Sequence, residues 1–258
     1  MKIAIIGAGN MGGAIACGLT QGTRIKAENI TVSDLDNETL ETLKTSCPLI
    51  QTTPSNQEAV DNAGMIIIAV KPWLVRKVVG QLTFDFSKQI IVSIAAGIPF
   101  SDYKEWFSPS AAIFRLVPNT AISQLASMTL IASMNATKEQ ETFVLNLFNE
   151  MGLAMLIPEK QIPATTALTS CGIAYVLKYI QAAMQAGVEM GICPKDAMKM
   201  VAQSVKGAAE LILNNDTHPS VEIDKVTTPG GITIKGINEL EQAGFGAAII
   251  RAMKISGE

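Results

Sequence analysis

The stretch KIAIIGAGNMGGAI, residues 2–15, decides the fold because an apolar run leads through a glycine-rich turn into a helical pattern. Its glycines have the G-x-G-x-x-G spacing of dinucleotide-binding turns. The first allows a tight bend, the second lets the backbone approach a pyrophosphate, and the third lets the helix pack closely on the strand. The helix N-terminus then offers unpaired N–H groups to the phosphates. The alternative is a glycine-rich turn without a ligand. We predict a dinucleotide site that includes Gly7, Gly9, Asn10, Met11 and Gly12.

Short apolar runs alternate with helical patterns up to about residue 157. Most of these runs are continuously apolar, as expected for parallel strands covered by helices on both faces. The alternation predicts an α/β fold with a Rossmann-type, doubly wound N-terminal sheet and right-handed crossovers. Strands are predicted at 2–7, 30–34, 65–70, 89–95, 111–117 and 128–133, and helices notably at 11–22 and 37–46.

The pattern changes after Pro158, where strand signals give way to apolar residues at helical spacing. Such spacing occurs in 173–188, in 195–214 and again in 237–255. We therefore predict two domains, a dinucleotide-binding domain over 1–158 and an all-helical domain over 159–258.

Composition excludes several classes of function. The 258 residues are 48% hydrophobic and 17% charged, and the net charge of -3 comes without a basic run. The sequence therefore lacks the basic patch that binding to nucleic acid or to a membrane surface requires. No stretch approaches the ~18 apolar residues of a membrane span. Because the four cysteines form no CxxC pair and lie near no histidine cluster, we expect reduced thiols, no metal site and a soluble cytoplasmic protein.

The second strand ends at Asp34, about where an acidic side chain would bond to an adenosine ribose. A carboxylate there favours NADH over NADPH, but aspartate is also a common first residue of helices, so both cofactors stay open. Lys71 and Pro72 follow the third strong strand and should lie at the same ligand-binding edge, although Lys71 alone also fits a solvated surface lysine. SIAAGI (93–98) and LVPNTA (116–121) should reach this edge too.

A second candidate site is VTTPGGITIKG, residues 226–236. Pro229 fixes its own φ, while the two glycines after it adopt conformations closed to other residues. Successive N–H groups there could converge on an anion, and Thr228 and Thr233 add neutral hydroxyls. The loop suits a small carboxylate, and the alternative is an ordinary turn and helix start.

His218 is the single histidine of the chain and stands before a proline in a polar loop. We expect it to be structural or solvated. Reduction of a ketone generally needs a positioned acid, commonly histidine or lysine, whereas an imine nitrogen can arrive already protonated. The scarcity of histidine therefore favours reduction of C=N over C=O.

The whole chain resembles the pyrroline-5-carboxylate reductases. The motifs are IAIIGAGNMGGAI, AVKPW, SIAAGI, VPNTA, LTSCGIAYVLKYIQAAMQAGVEMGI and, above all, NNDTHPSVEIDKVTTPGGITIKGINELEQAGFGAAIIRA. The resemblance implies NAD(P)H-dependent reduction of 1-pyrroline-5-carboxylate to L-proline by hydride transfer to the C=N carbon. It also implies a homodimer through interlocking helical dimerisation domains, often assembled into larger rings.

Site residues follow from the resemblance position by position. The substrate carboxylate would be held by Thr228, Gly230, Gly231 and Thr233, with Thr233 near the ring nitrogen as a proton donor. The cofactor would be lined further by Ser33, Asp34, Asn56, Ala69, Val70, Lys71, Pro72, Ala95, Gly97 and Asn119. Three positions depart from the family pattern, which has glycine at Ser170 and proline at Ile173 and Ala121. We expect these departures to alter the backbone preferences beside the site, and with them the shape of the pocket.

Two other functions fit parts of the pattern. A 3-hydroxyacid dehydrogenase shares the glycine-rich turn and would use Lys178 as its catalytic lysine, although the spacing from Gly172 fits poorly. A dinucleotide-binding regulator without catalysis is the other alternative.

Overall fold

The computed structural model describes residues 1–257. One eight-stranded sheet has the strand order β3-β2-β1-β4-β5-β6-β7-β8, with β1 to β6 all parallel. From β1 the strand order runs one way to β2 and β3 and the other way to β4, β5 and β6. The place beside β1 where the order reverses is the switch point of a doubly wound fold. The strands are β1 (Ile3–Ile6), β2 (Ile30–Ser33), β3 (Gln51–Thr53), β4 (Met65–Ile68), β5 (Ile90–Ser93), β6 (Ala112–Val117), β7 (Ser127–Met134) and β8 (Gly152–Leu156).

All six predicted strands are confirmed, and the fold class with them. The strands β3 and β8 were missed, because QTT is polar and GLAML follows closely on a helical pattern. β7 departs from the parallel arrangement, since it pairs with β6 in the antiparallel sense. The connection over 118–126 is too short for the crossover of a dozen or more residues that a parallel partner requires.

Helices cover both faces of the sheet, and the strand residues alternate between them. Ile3 and Ile5 of β1 join one buried cluster, together with apolar residues of the helices over 10–21, 37–46 and 138–149. Ala4 and Ile6 join the other, with residues of the helices over 56–60, 72–79 and 100–106. The helices are α1 (Asn10–Gln21), α2 (Asn37–Ser46), α3 (Asn56–Val60), α4 (Pro72–Val79), α5 (Phe100–Trp106), α6 (Lys138–Asn149), α7 (Ile162–Thr166), α8 (Gly172–Glu189), α9 (Pro194–Asn215), α10 (Pro219–Val226), α11 (Ile232–Gln242) and α12 (Phe245–Ser256).

The chain separates into two compact units, Met1–Ser170 and the residues from Cys171 onward. Between α7 and α8 the backbone forms a π-helical turn, Ala167–Cys171. The predicted domain boundary at 158/159 lies earlier in the chain and stays a prediction.

The second unit consists of α8 to α12, and no strand occurs in its described part. The pattern over 237–255, predicted as one helical stretch, contains two helices. They separate at Gly244, whose φ of 75° is the left-handed conformation that favours glycine at a helix end. Within residues 1–257, no helix is at once long and apolar enough to cross a membrane.

The expectation of four reduced thiols is wrong for two of them. Cys17 on α1 and Cys47 at the end of α2 form a disulfide, with their Cα atoms 5.8 Å apart. The two cysteines are 30 residues apart in the sequence, so local patterns do not reveal this contact. It arises because α1 and α2 pack side by side on one face of the sheet. Cys171 and Cys193 are free.

We predict two titratable thiols per chain when the protein is denatured without reductant, and four after reduction. Replacing the cross-link with Cys17→Ala should lower the free energy of unfolding by about 3–4 kcal/mol, because the bond restricts the unfolded chain. Chemical denaturation under oxidising conditions measures this change. Cys193→Ala is the matched control, since that thiol is free and exposed and its loss should leave stability unchanged. Four reactive thiols before reduction would contradict the disulfide.

Candidate functional site

The turn between β1 and α1 leaves no room for a side chain at Gly7 or at Gly12. Gly7 has a φ of 106°, and a Cβ there would lie 2.8 Å from the carbonyl oxygen of Ala69. A Cβ on Gly12 would lie 2.0 Å from the carbonyl oxygen of Gly7. The N–H of Gly7 in turn donates to the carbonyl oxygen of Ser33 at 2.8 Å. These contacts fix the first turn of α1 at the carboxyl end of β1.

Gly9 is different, because a Cβ at this position would meet nothing within 4 Å. It precedes the first residue of α1, and no side chain caps the helix. The first N–H groups of a helix have no partner inside it, so here they face open space with the positive end of the helix dipole behind them. Asn10 is exposed beside them and Met11 is half-buried. This arrangement fits the phosphates of a dinucleotide.

Two of the predicted residues, Ser33 and Asp34, lie at the end of β2, and a third, Asn56, begins α3. Asp34 is half-buried and accepts hydrogen bonds from the N–H of Ala8 at 2.8 Å and of Asp36 at 3.1 Å. Ser33 is fully buried, and its hydroxyl donates to Oδ1 of Asn56 at 2.8 Å. The structure thus brings Ser33 and Asn56 together, with the serine in the interior and the asparagine at its edge.

Asp36, which is exposed, is the aspartate that starts α2. Its carboxylate accepts from the hydroxyl of Thr39 and from the N–H of Glu38, and these bonds hold its pKa below the usual value. Asp36 is therefore the helix cap and is ionised at neutral pH. Asp34 does not cap α2, because its carboxylate accepts a hydrogen bond from the glycine-rich turn instead.

The β4 and β5 ends form the next part of the same edge. Ala69 bonds to the end of β1 through its N–H, which donates to the carbonyl oxygen of Ile6 at 2.8 Å. Val70 and Pro72 are half-buried, and Lys71 is exposed just before α4. After β5, Ala95 is buried, whereas Gly97 is exposed with a φ of 78°.

Asn119, at the end of β6, has its side-chain amide bonded within the protein. Its Nδ2 donates to the carbonyl oxygen of Thr169 at 3.1 Å, and its Oδ1 accepts from the N–H of Ala121 at 3.0 Å. A proline at 121, the family's usual residue, has no N–H and could not make the second bond. The departure at Ala121 therefore gives Asn119 a capping role at the start of a short 3-10 turn, Thr120–Gln124.

A groove of about 560 Å³ runs between α1 and α2, with Gly9, Asn10 and Asp36 among its lining residues. Of the predicted cofactor residues only Gly9 and Asn10 line it. The others lie outside this groove, either at the ends of strands or, for Met11, Gly12, Asn56 and Pro72, in the first turn of a helix.

The Thr-Thr-Pro-Gly-Gly stretch forms a tight turn at the start of α11. The N–H of Gly231 donates to the carbonyl oxygen of Thr228 at 2.9 Å, and Gly230 has a φ of 72°. Proline followed by a left-handed glycine is the arrangement of a type II turn. Thr228 and Gly230 are exposed before the helix, Gly231 is half-buried at its cap, and Thr233 is exposed in its first turn. The hydroxyls and first N–H groups of α11 therefore lie near one another.

Two other residues take structural or surface positions. His218 caps α10, since its Nδ1 accepts from the N–H of Ser220 at 3.2 Å, in agreement with the expected structural role. Lys178 is exposed on α8 and donates to Oε1 of Gln181 on the same helix at 2.9 Å. Neither contact favours a hydroxyacid dehydrogenase.

Ser93 is a residue that sequence reasoning missed. It is buried at the end of β5, and its Oγ accepts from the N–H of Ala95 at 3.3 Å and from the hydroxyl of Tyr103. The available signal is the polar last residue of an apolar strand, which also occurs at Ser33.

Both units match known family models. Residues 159–257 match a model described as "Pyrroline-5-carboxylate reductase dimerisation". Residues 2–97 match one described as "NADP oxidoreductase coenzyme F420-dependent".

Individual relatives match over the whole chain. Pyrroline-5-carboxylate reductase 2 of Dictyostelium discoideum is 36% identical over 100% of this chain and 91% of its own length. Pyrroline-5-carboxylate reductase 1 of the same organism is 35% identical over 99% of this chain, which spans 48% of that longer protein. The crystal structure of Plasmodium falciparum pyrroline carboxylate reductase with NADP bound superimposes with a TM-score of 0.87 and 27% identity, covering 100% of this chain and 95% of that one. With its glycine-rich turn, its helical second unit and these full-length similarities, the chain belongs to the pyrroline-5-carboxylate reductase family.

Proposed function

We propose that this protein reduces 1-pyrroline-5-carboxylate to L-proline with NADH or NADPH. The observation that carries the proposal is the full-length similarity to a pyrroline-5-carboxylate reductase at 36% identity. The geometry of each unit supports it independently, since one presents a dinucleotide turn and the other a turn suited to a small carboxylate.

The first unit is proposed to bind the cofactor. The N-terminus of α1 would hold the pyrophosphate, and the open space at Gly9 lets the backbone approach it. Asp34 and Asn56 would lie along the adenosine ribose, and Ala69 to Pro72, Ala95, Gly97 and Asn119 would border the rest. Bound there, the reduced nicotinamide supplies a hydride.

The second unit is proposed to bind the substrate. The first N–H groups of α11 and the hydroxyls of Thr228 and Thr233 would hold the carboxylate, because together they offer several donors without a charged side chain. Thr233 is the proposed proton donor to the ring nitrogen. With its carboxylate and its ring nitrogen both held, the substrate would have its C=N carbon oriented for attack by the hydride.

NADH is the proposed preferred cofactor. Residues 34, 36 and 38 are all acidic, and no lysine or arginine lies between positions 34 and 39. The 2'-phosphate of NADPH would be repelled by these carboxylates, and the ribose hydroxyl of NADH could donate to Asp34.

The purified protein should oxidise reduced cofactor only when pyrroline carboxylate is present, as followed by nicotinamide absorbance. We expect kcat/KM to be higher with NADH than with NADPH. The gap should narrow as salt is raised, because about 1 M salt shortens the Debye length to about 3 Å and screens the repulsion. Absence of imine-dependent oxidation with either cofactor would reject the function. A preference for NADPH that persists at low salt would reject the role of the carboxylates but not the proposed reaction.

Gly9→Ala and Gly12→Ala should separate cofactor binding from folding. Gly9 has a φ of -63° and open space around it, so alanine should leave stability nearly unchanged but weaken NADH binding about tenfold or more by blocking the pyrophosphate. Gly12→Ala drives a methyl group into backbone and should lower the free energy of unfolding by about 1–3 kcal/mol or more. Cofactor titration and chemical denaturation measure the two effects. Normal NADH affinity in Gly9→Ala would place the pyrophosphate elsewhere.

A homodimer through the second unit is also proposed, and larger rings would be built from it. Only Gly172, Gly187 and Ala197 are buried in the described part of α8 to α12. Apolar side chains instead line a groove of about 440 Å³, among them Val176, Tyr179 and Phe245. So much exposed apolar surface is typical of a face that another chain covers, and this segment matches the family's dimerisation model.

Light scattering should return the mass of a dimer or of a multiple of it. Val176→Glu should shift the mass towards the monomer, because a charge would be buried in an apolar interface. Leu49→Glu is the matched control, since Leu49 is an equally apolar, 73% exposed residue of the first unit. A monomeric native protein, or the same loss of mass in both variants, would contradict this interface.

A further inference from the structure

Two buried hydroxyl groups meet at the carboxyl end of β5. Tyr103 on α5 and Ser93 at the end of β5 are 0% and 1% exposed. The hydroxyl of Tyr103 donates to Oγ of Ser93 at 2.5 Å, and the N–H of Ala95 donates to the same Oγ at 3.3 Å. A chain of hydrogen bonds thus leads from α5 to the loop that follows β5.

Packing alone does not require the hydroxyl of Tyr103. Its ring stacks on Phe107 at 6.1 Å between centroids and meets Trp106 edge to face at 5.5 Å. Phenylalanine would make the same ring contacts. A buried hydroxyl is unfavourable unless it is bonded, so its role must lie in the bond to Ser93. Burial also raises the pKa of Tyr103, which keeps the group protonated and able to donate at neutral pH.

The far end of the same loop is fixed as well. The N–H of Phe100, the first residue of α5, donates to Oε1 of Glu159 at 2.7 Å. The same carboxylate pairs with Arg115, whose side chain is largely buried. The segment over 94–99 is therefore held at both ends by side chains, while its middle, at Ala96 and Gly97, is exposed.

We infer that Tyr103 is a positioning residue for the cofactor, acting through Ser93 to hold the N–H of Ala95 and the shape of the loop over 94–99. The inference rests on the proposed function, in which Ala95 and Gly97 border the dinucleotide. A loop fixed before binding loses less conformational freedom when the cofactor binds, and this difference appears in affinity.

The test uses Tyr103→Phe, Ser93→Ala and the double variant. Equilibrium titration of NADH by its fluorescence is measured beside the KM for each substrate and kcat. Loss of one hydrogen bond should weaken NADH binding and raise the cofactor KM about threefold to tenfold, with the KM for pyrroline carboxylate unchanged. The two hydroxyls belong to one chain of hydrogen bonds, so their effects should not add. The double variant should therefore bind NADH no more weakly than the single variant with the lower NADH affinity.

Val144→Ala is the control for lost stability. Val144 is fully buried on α6, in the cluster on the other face of the sheet, so this variant should melt at a lower temperature yet bind NADH normally. Wild-type NADH affinity in Tyr103→Phe would overturn the inference. Equal weakening in Val144→Ala would also overturn it, since any loss of stability would then have the same effect.

Binding and turnover distinguish the two levels of the proposal. A wild-type protein that binds NADH but oxidises none with pyrroline carboxylate would reject the proposed reaction, and the NADH affinities of the variants would still decide the role of Tyr103. A wild-type protein that binds neither NADH nor NADPH would overturn both.

Discussion

The close approach of Gly12 to the carbonyl oxygen of Gly7 is the contact on which the first unit depends. A Cβ on Gly12 would lie only 2.0 Å from that oxygen, so any larger residue there would push α1 away from the end of β1. The turn is held on both sides, since Gly7 also lies against Ala69 after β4 and bonds to Ser33 at the end of β2. Three neighbouring strands thereby fix the direction of α1, and with it the N–H groups that face a dinucleotide.

Buried polar groups carry this order outward from the strands to the loops. β2 and β5 are apolar strands that each end in a buried serine. Ser33 bonds to Asn56 at the start of α3, and Ser93 bonds to Tyr103 on α5. A polar group in the interior is tolerated when it is bonded, and each bond ties a strand end to a helix on the face of the sheet that α3 to α5 cover. The loops that would touch a cofactor are therefore held in place by hydrogen bonds between buried strand ends and these helices.

The second unit follows a different principle. Its five helices have apolar faces at helical spacing, yet in the described residues almost none of these side chains is buried within the unit. A surface of this kind gains its stability from association, so folding and assembly of the unit are linked by mass action. The turn at Thr228 to Gly231 belongs to this unit, which links the proposed substrate site to the state of assembly.

The sequence by itself determined the fold class, six of the eight strands, the glycine-rich turn and the family, because these depend on local periodicity and on glycines that no other residue can replace. It did not determine the direction of β7, the break at Gly244 or the pairing of Cys17 with Cys47. Nor did it identify Asp36 rather than Asp34 as the cap of α2, or the bond between Ser93 and Tyr103. The disulfide, the role of Asp34 at the glycine-rich turn and the bond between Ser93 and Tyr103 depend on which groups meet after the chain has folded, often from distant parts of the sequence. Only the packing of helices against the sheet decides such meetings, since periodicity specifies which face a residue occupies and not its neighbour across that face.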